Sequence, residues 1–259
     1  MTTPATLALL AVFAADPPPA VKGDAAAVVR QSIDHHGGIA AWAAKKTVQF
    51  KKTTTRFAKD GSVERRRVQL HRYVLRPRFK ARVEWEEDGK AIVNVNDGAV
   101  AWKLVDGRPA TATEDVNQAR NGTFGSHYVF NMPFKLLDPG ASLALTGRRR
   151  LPGGVLADAV RVTYGPGVGD AGGMHTWTYF IDAKSGRLTA NHLTYGPSQY
   201  DYTEYHDDVV ADGITIARRR LGYAADARGR VGPRMSEIVY DDVRFDVPLD
   251  DGLFAPRVP

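Results

Sequence analysis

The stretch RVEWEEDGKAIVNVNDGAVAWKLVDG, residues 82–107, carries three Asp-Gly pairs spaced nine residues apart, at Asp88-Gly89, Asp97-Gly98 and Asp106-Gly107. Tight hairpin turns need positive φ at their central residues, which glycine accepts freely and aspartate tolerates, so each pair marks a turn. About six or seven residues remain between turns, the usual length of a strand. Val83 and Trp85 alternate with Arg82, Glu84 and Glu86, and Val100, Trp102 and Leu104 share a face of their own. One face is dry and the other wet, the pattern of an antiparallel meander.

The same grammar extends in both directions. Asp60-Gly61 precedes the meander, and Ser185-Gly186 and Asp212-Gly213 follow it, with strands expected over 142–149, 159–164, 174–181, 187–195, 202–210, 214–222 and 235–245. No helices of crossover length separate these segments, which excludes parallel βαβ units. The fold class is therefore mainly β (α+β): a single antiparallel, strongly curved sheet of about ten to twelve strands. Before it, Asp24 reads as the N-cap of a helix that stops at Gly37-Gly38, and a second short helix over 39–45 carries Trp42 inward. Between Glu114 and Gly140 the alternation breaks, and Phe124, Tyr128, Phe130, Met132, Phe134, Leu136 and Leu137 crowd a segment expected to hold loops and one or two short helices.

Length and composition set the outer bounds. The 259 residues, 43% hydrophobic and 25% charged, suit one globular all-β domain over 24–259. Residues 1–15 hold a short apolar block, 7–13, followed by Ala14-Ala15, the grammar of a signal peptide, and the Pro-rich residues 16–23 read as a linker. A secreted protein is the expectation. The chain contains no cysteine, which removes disulfides, thiol nucleophiles, cysteine metal sites and a lipid-modified cysteine anchor. The formal charge of +6 suits an anionic surface. With no recognition helix or stacking sheet beside the arginines, no nucleic acid is expected as a partner.

Chemistry-bearing clusters are sparse. Asp34-His35-His36 lies near a helix end, where adjacent imidazoles point about 100° apart and cannot readily hold one ion. His192 and the His206-Asp207-Asp208 run fall on neighbouring strands and could approach across the ladder. Neither forms a recognisable metal frame, and no nucleophile elbow or phosphate-binding glycine loop is present. No catalytic residue, metal or cofactor is expected. Three arginine triplets, 65–67, 148–150 and 218–220, lie on or beside strands, so each directs at least one guanidinium toward the apolar face, where it needs an anionic partner or a place at the sheet's solvated edge. An acidic headgroup is one such partner.

The dry face carries more aromatic side chains than one sheet and a short helix can cover. A curved sheet with the mid-chain aromatic segment as a lid would enclose a groove, filled either by its own side chains or by an apolar ligand. The run Tyr179-Phe180-Ile181-Asp182-Ala183-Lys184-Ser185-Gly186-Arg187-Leu188 resembles the strand-turn-strand of the LolA/LolB-type lipoprotein carriers and their outer-membrane lipoprotein-sorting relatives. Ala211-Asp212-Gly213-Ile214-Thr215-Ile216-Ala217 is similar to a second hairpin of that superfamily, although Ala217 stands where proline is frequent. The run from Val243-Arg244-Phe245 to Leu253-Phe254 is similar to its closing strand and tail, and His36-Gly37-Gly38 with Trp42 resembles a subgroup.

The resemblance covers roughly 24–257. It implies an unclosed half-barrel over helices, with a hydrophobic cavity for an acyl chain or a lipidated protein. Together with the export grammar and the absence of cysteine, the expectation is a non-enzymatic, monomeric periplasmic protein without a lipid anchor, which meets a membrane surface or an envelope receptor. Trp85, Trp102, Phe130, Phe134, Trp177 and Tyr179 are the candidate cavity lining, with Arg218 and Arg220 near the mouth. A module with a self-filled core and an envelope hydrolase are the alternatives.

Overall fold

In the computed structural model the sheet begins where the turn chemistry dictates. Asp88, Asp106 and Asp212 adopt φ of 51°, 50° and 49°, and the glycines after them 71°, 77° and 83°. Both central residues of each turn thus occupy the left-handed region that a two-residue hairpin demands. Asp97 turns the chain differently, its carboxylate accepting the amides of Ala99 and Val100. The structure describes residues 20–22, 25–165, 169 and 173–255. The expected signal peptide, most of the linker and the Asp24 cap lie outside the described residues.

The elements follow in order: β1 (Ala20–Lys22), α1 (Ala25–His35), α2 (Ile39–Ala44), β2 (Thr47–Phe57), β3 (Val63–Val74), β4 (Lys80–Glu87), β5 (Lys90–Asn96), β6 (Ala101–Val105), β7 (Arg108–Pro109) and α3 (Thr113–Phe130). After a 3₁₀ turn at Phe134–Leu137 come β8 (Ala141–Arg150), β9 (Leu156–Tyr164), β10 (Thr176–Asp182), β11 (Leu188–Gly196), β12 (Gln199–Ala211), β13 (Ile214–Ala225) and β14 (Val231–Phe245), with a last 3₁₀ turn at Asp251–Phe254. One sheet results, ordered β1-β8-β9-β10-β11-β12-β13-β14-β2-β3-β4-β5-β6-β7. Its ends, β1 and β7, do not pair with each other, so the barrel stays open. Among the described residues, two short edge strands flank the expected long ones. β7 is a two-residue strand, and β1 pairs parallel to β8, the one departure from antiparallel order.

Helices fill the concave side. Trp42 of α2, 6% exposed, stacks on Phe134 at 4.7 Å, and Phe50 of β2 is stacked between Phe130 and His71, at 4.0 and 4.9 Å. Each such ring contributes on the order of 2 kcal/mol by burial. The segment expected to be loops with short helices is instead an 18-residue α-helix, α3. Gly122, Gly125 and the two asparagines Asn117 and Asn121 argue against helix by propensity alone, but Glu114 and Asp115 in the first turn suit the helix dipole, and packing against β5 and β6 supplies the rest.

Candidate functional site

The helices close only part of the concave surface. Between α3 and the inner face of β2–β6 a groove of about 730 Å³ remains open. Its floor is built by strand register. Val83 pairs with Asn94 and Asn94 with Lys103, while Trp85 lies one rung along, and directly paired residues project to the same face. Lys52, Arg67, Gln69 and Glu87 continue the floor toward β2 and β3. The wall is the polar side of α3, with Asn117, Gln118, Asn121 and Ser126 turned inward.

Charge organises this space. Glu87 accepts from Arg65 and Arg67, each at 2.5 Å, and from the Trp85 indole at 3.1 Å, while the Arg67 guanidinium lies 5.0 Å over that indole. Lys103 pairs with Asp115 at 2.7 Å across the groove. Lys52 reaches only the Ser126 hydroxyl, at 3.4 Å, and no carboxylate among the described residues lies within ion-pair distance of it. Burial, reinforced by Arg220 and Arg56, pushes the Lys52 ammonium down to about 8. Behind it His71 shares a 2.6 Å hydrogen bond with the Tyr73 hydroxyl and is held well below the usual imidazole range, chiefly by burial. Arg67 Nε, His71 Nε2 and Asn94 Oδ1 are buried without a hydrogen-bond partner among the described residues.

Of the residues expected to line a cavity, Trp85 lies in the groove. Trp102 does not: it pairs with Val95, which pairs with Arg82, so it occupies the opposite face of the sheet. Both faces are covered here: α3 packs on the inner one, and on the outer one Val95 and Leu104 are buried, with the 3₁₀ turn at Asp251–Phe254 against the neighbouring β4. That turn is tied by Arg82 donating to Leu253 O and by Lys80 over Phe254. Apolar residues therefore stand at both parities and alternation alone misplaces Trp102. Phe130 and Phe134 are buried in the helix-capped core, as are Trp177 and Tyr179, whose rings stack at 5.6 Å. Arg218 is half-exposed and bound to Asp241 at 2.8 Å. Arg220 is buried at 4% exposure between the Tyr205 and Tyr240 rings, 4.8 and 4.9 Å away, and donates to Val129 O at 2.7 Å.

The histidine clusters do not assemble. His36 donates through Nδ1 to Ser32 O at 2.7 Å, and burial pushes it down to about 4. His192 stands opposite Tyr202 and His206 opposite Arg219, so the two imidazoles do not face each other across the ladder. Among the described residues no group of three or more potential ligands gathers around a common point.

No family model matches the sequence, and no curated protein does. Solved structures do match. A LolA superfamily protein from Nitrosomonas europaea superposes with a TM-score of 0.57 at 10% identity, over 90% of this chain and 97% of its own. The chain has a LolA/LolB-like fold. A DUF1329 family protein from Desulfovibrio piger gives 0.56 at 10% identity, covering 90% and 98% of the two chains. A domain described as that of an outer membrane lipoprotein-sorting protein, from Vibrio parahaemolyticus, gives 0.53 at 10%, covering 88% and 94%. Within this LolA-like half-barrel the concave surface is divided. The β8–β13 side is packed by the protein's own core, and the β2–β6 side holds a groove that is polar along its helical wall and over most of its floor. Lys52, Gln69, Asn94 and Lys103 were not singled out from the sequence, yet Lys52 continues the inward alternation of Val48 and Phe50. A charged residue at an apolar parity was the signal.

Proposed function

We propose that the protein is a non-catalytic carrier of the cell envelope, acting in the periplasm, that takes an amphiphile into the groove beneath α3. The amphiphile would be a lipid or the acyl chain of a lipidated protein. The observation that carries this reading is the open 730 Å³ groove on the concave face, walled by a single helix and floored by Val83 and Trp85 among the polar Lys52, Arg67, Gln69, Glu87, Asn94 and Lys103. A volume of this order suits a ligand of lipid-fragment size. The shared fold of a lipoprotein-sorting domain supports the same class of cargo. The polar wall and largely polar floor modify the expectation of a wholly apolar cavity, because only the part of a bound molecule beside Val83 and Trp85 meets hydrocarbon there.

Mass spectrometry of lipids that co-purify from the native host, together with titration of a fluorescent fatty acid, tests the proposal. Saturable binding that Trp85→Ala weakens is the expected result. A ligand-free spectrum with no fatty-acid binding would refute it. The aromatic packing of Trp42, Phe134, Phe130 and Phe50 favours a second reading, a self-filled interaction module, and that same negative result would support it.

A further inference from the structure

At the β2–β3 end the groove runs into a smaller recess of about 190 Å³, lined by Lys52, Thr54, Arg56, Arg65, Arg67 and Gln69. Every one of these side chains can donate a hydrogen bond. The recess is built from three rungs of one ladder, Lys52 opposite Gln69, Thr54 opposite Arg67 and Arg56 opposite Arg65, all on the concave face. Placing two arginines directly opposite each other works against the sheet, since like charges on paired positions repel. The one carboxylate ion-paired to these four cations among the described residues is Glu87, occupied by Arg65, Arg67 and the Trp85 indole, while Asp201 acts on Arg56 only at longer range. No carboxylate among the described residues lies within ion-pair distance of Arg56 or Lys52, and the buried Arg67 Nε has no acceptor. Strand alternation places Arg66 on the opposite face, whereas Arg56, Arg65 and Arg67 share the concave one.

We infer that this recess is a binding subsite for a phosphate-type anion, the headgroup of the amphiphile whose chain lies along Val83 and Trp85. The inference rests on the carrier reading for the chain portion but not for the anion itself. Guanidinium groups converging from two strands can grip tetrahedral oxygens with charge-assisted bonds, which are the strong ones. Lys52, Arg67 and Gln69 line both recess and groove, so a headgroup here leaves its chain beginning beside Trp85.

Calorimetry on the full chain tests this with three probes: dodecyl phosphate below its micelle concentration, dodecyl maltoside and inorganic phosphate. Dodecyl phosphate should bind roughly tenfold or more tighter than the maltoside, as charge-assisted contacts predict. Arg56→Gln, which breaks no ion pair, should erase that preference and leave maltoside binding intact. Arg66→Gln removes the same charge from the opposite face and should change nothing. Equal affinity for both amphiphiles, or an equal loss in the two variants, would overturn the subsite and leave the carrier reading standing. If neither amphiphile binds, the carrier reading fails. Inorganic phosphate binding that depends on Arg56 would then still uphold the anion site, and its absence would overturn that as well.

Discussion

The indole of Trp42 lies flat on the ring of Phe134, 4.7 Å away with 10° between the planes, and this contact ties α2 to the turn that follows α3. Phe245 meets the same indole edge-on at 6.3 Å and the Arg76 guanidinium lies 5.0 Å over it. The closed end of the half-barrel is organised around this ring. Trp42→Ala should therefore destabilise by about 3–5 kcal/mol, the range for a large buried aromatic. Urea unfolding followed by circular dichroism measures it, and a loss below about 1 kcal/mol would mean the end is not packed as described.

Trp85 makes the contrasting case. It stands half-buried on the groove floor, held by its hydrogen bond to Glu87 and by Arg67 above it. Trp85→Ala should cost less than about 2 kcal/mol, because the space it vacates already opens to solvent. The same variant should bind a fluorescent fatty acid several-fold more weakly. A large stability loss with unchanged binding would assign Trp85 to the core.

Sequence and structure part company for physical reasons that particular residues illustrate. The Asp-Gly turns were legible because positive φ is a local demand, met within two residues. Alternation along β3 likewise sends Arg65 and Arg67 to one face and Arg66 to the other, so an inward guanidinium was readable before its partners were. Trp102 was not, because β5 and β6 are covered on both faces and their apolar residues carry no single parity. Helix α3 was hidden by its glycines and asparagines, and it forms through packing against β5 and β6, which its own sequence does not display. Lys52 stands in the alternation of Val48 and Phe50, but Lys51 beside it hides that parity, and only the fold shows the groove it enters.

Arg220 anchors the end of α3 without any carboxylate. Its guanidinium lies between Tyr205 and Tyr240, and its terminal nitrogen donates to Val129 O at 2.7 Å. A lysine can carry the charge but can neither stack as a plane nor reproduce the fork. Arg220→Lys should thus destabilise by about 1–3 kcal/mol, the scale of a charged hydrogen bond lost in the interior. Hydrogen exchange at the C-terminal turn of α3 should quicken in the variant, whereas unchanged protection would show that the helix end is held by other contacts.

Buried imidazoles set the acid limit. Desolvation holds His36 at about 4 and His127 at about 3, and His71 lies well below the ordinary 6.5. Between these values and 6.5 the unfolded chain binds protons that the folded chain refuses, so stability falls as pH drops through that window. Each group contributes up to about 1.4 kcal/mol per pH unit. His36→Gln, which keeps a donor for Ser32 O, should flatten the slope between pH 6.5 and 4 by about that amount. Urea midpoints across the range would show it, and parallel curves for the two proteins would refute the assignment.

Lys52 should produce the opposite signature at alkaline pH. Its folded value of about 8 lies below the ordinary 10.5, since burial and the nearby Arg220 and Arg56 disfavour the ammonium. Below pH 8 both states carry the proton and the fold bears the full penalty. Between about 8 and 10.5 the folded chain has released it while the unfolded chain retains it, so stability rises with pH across that interval. Lys52→Met should remove the rise and stabilise the protein at pH 7 by on the order of 2 kcal/mol. The same substitution should weaken dodecyl phosphate binding, because the unpaired cation that burdens the fold is one the recess offers to an anion. A variant that gains stability and keeps its phosphate preference would separate the two roles and leave the lysine's burial unexplained by ligand binding.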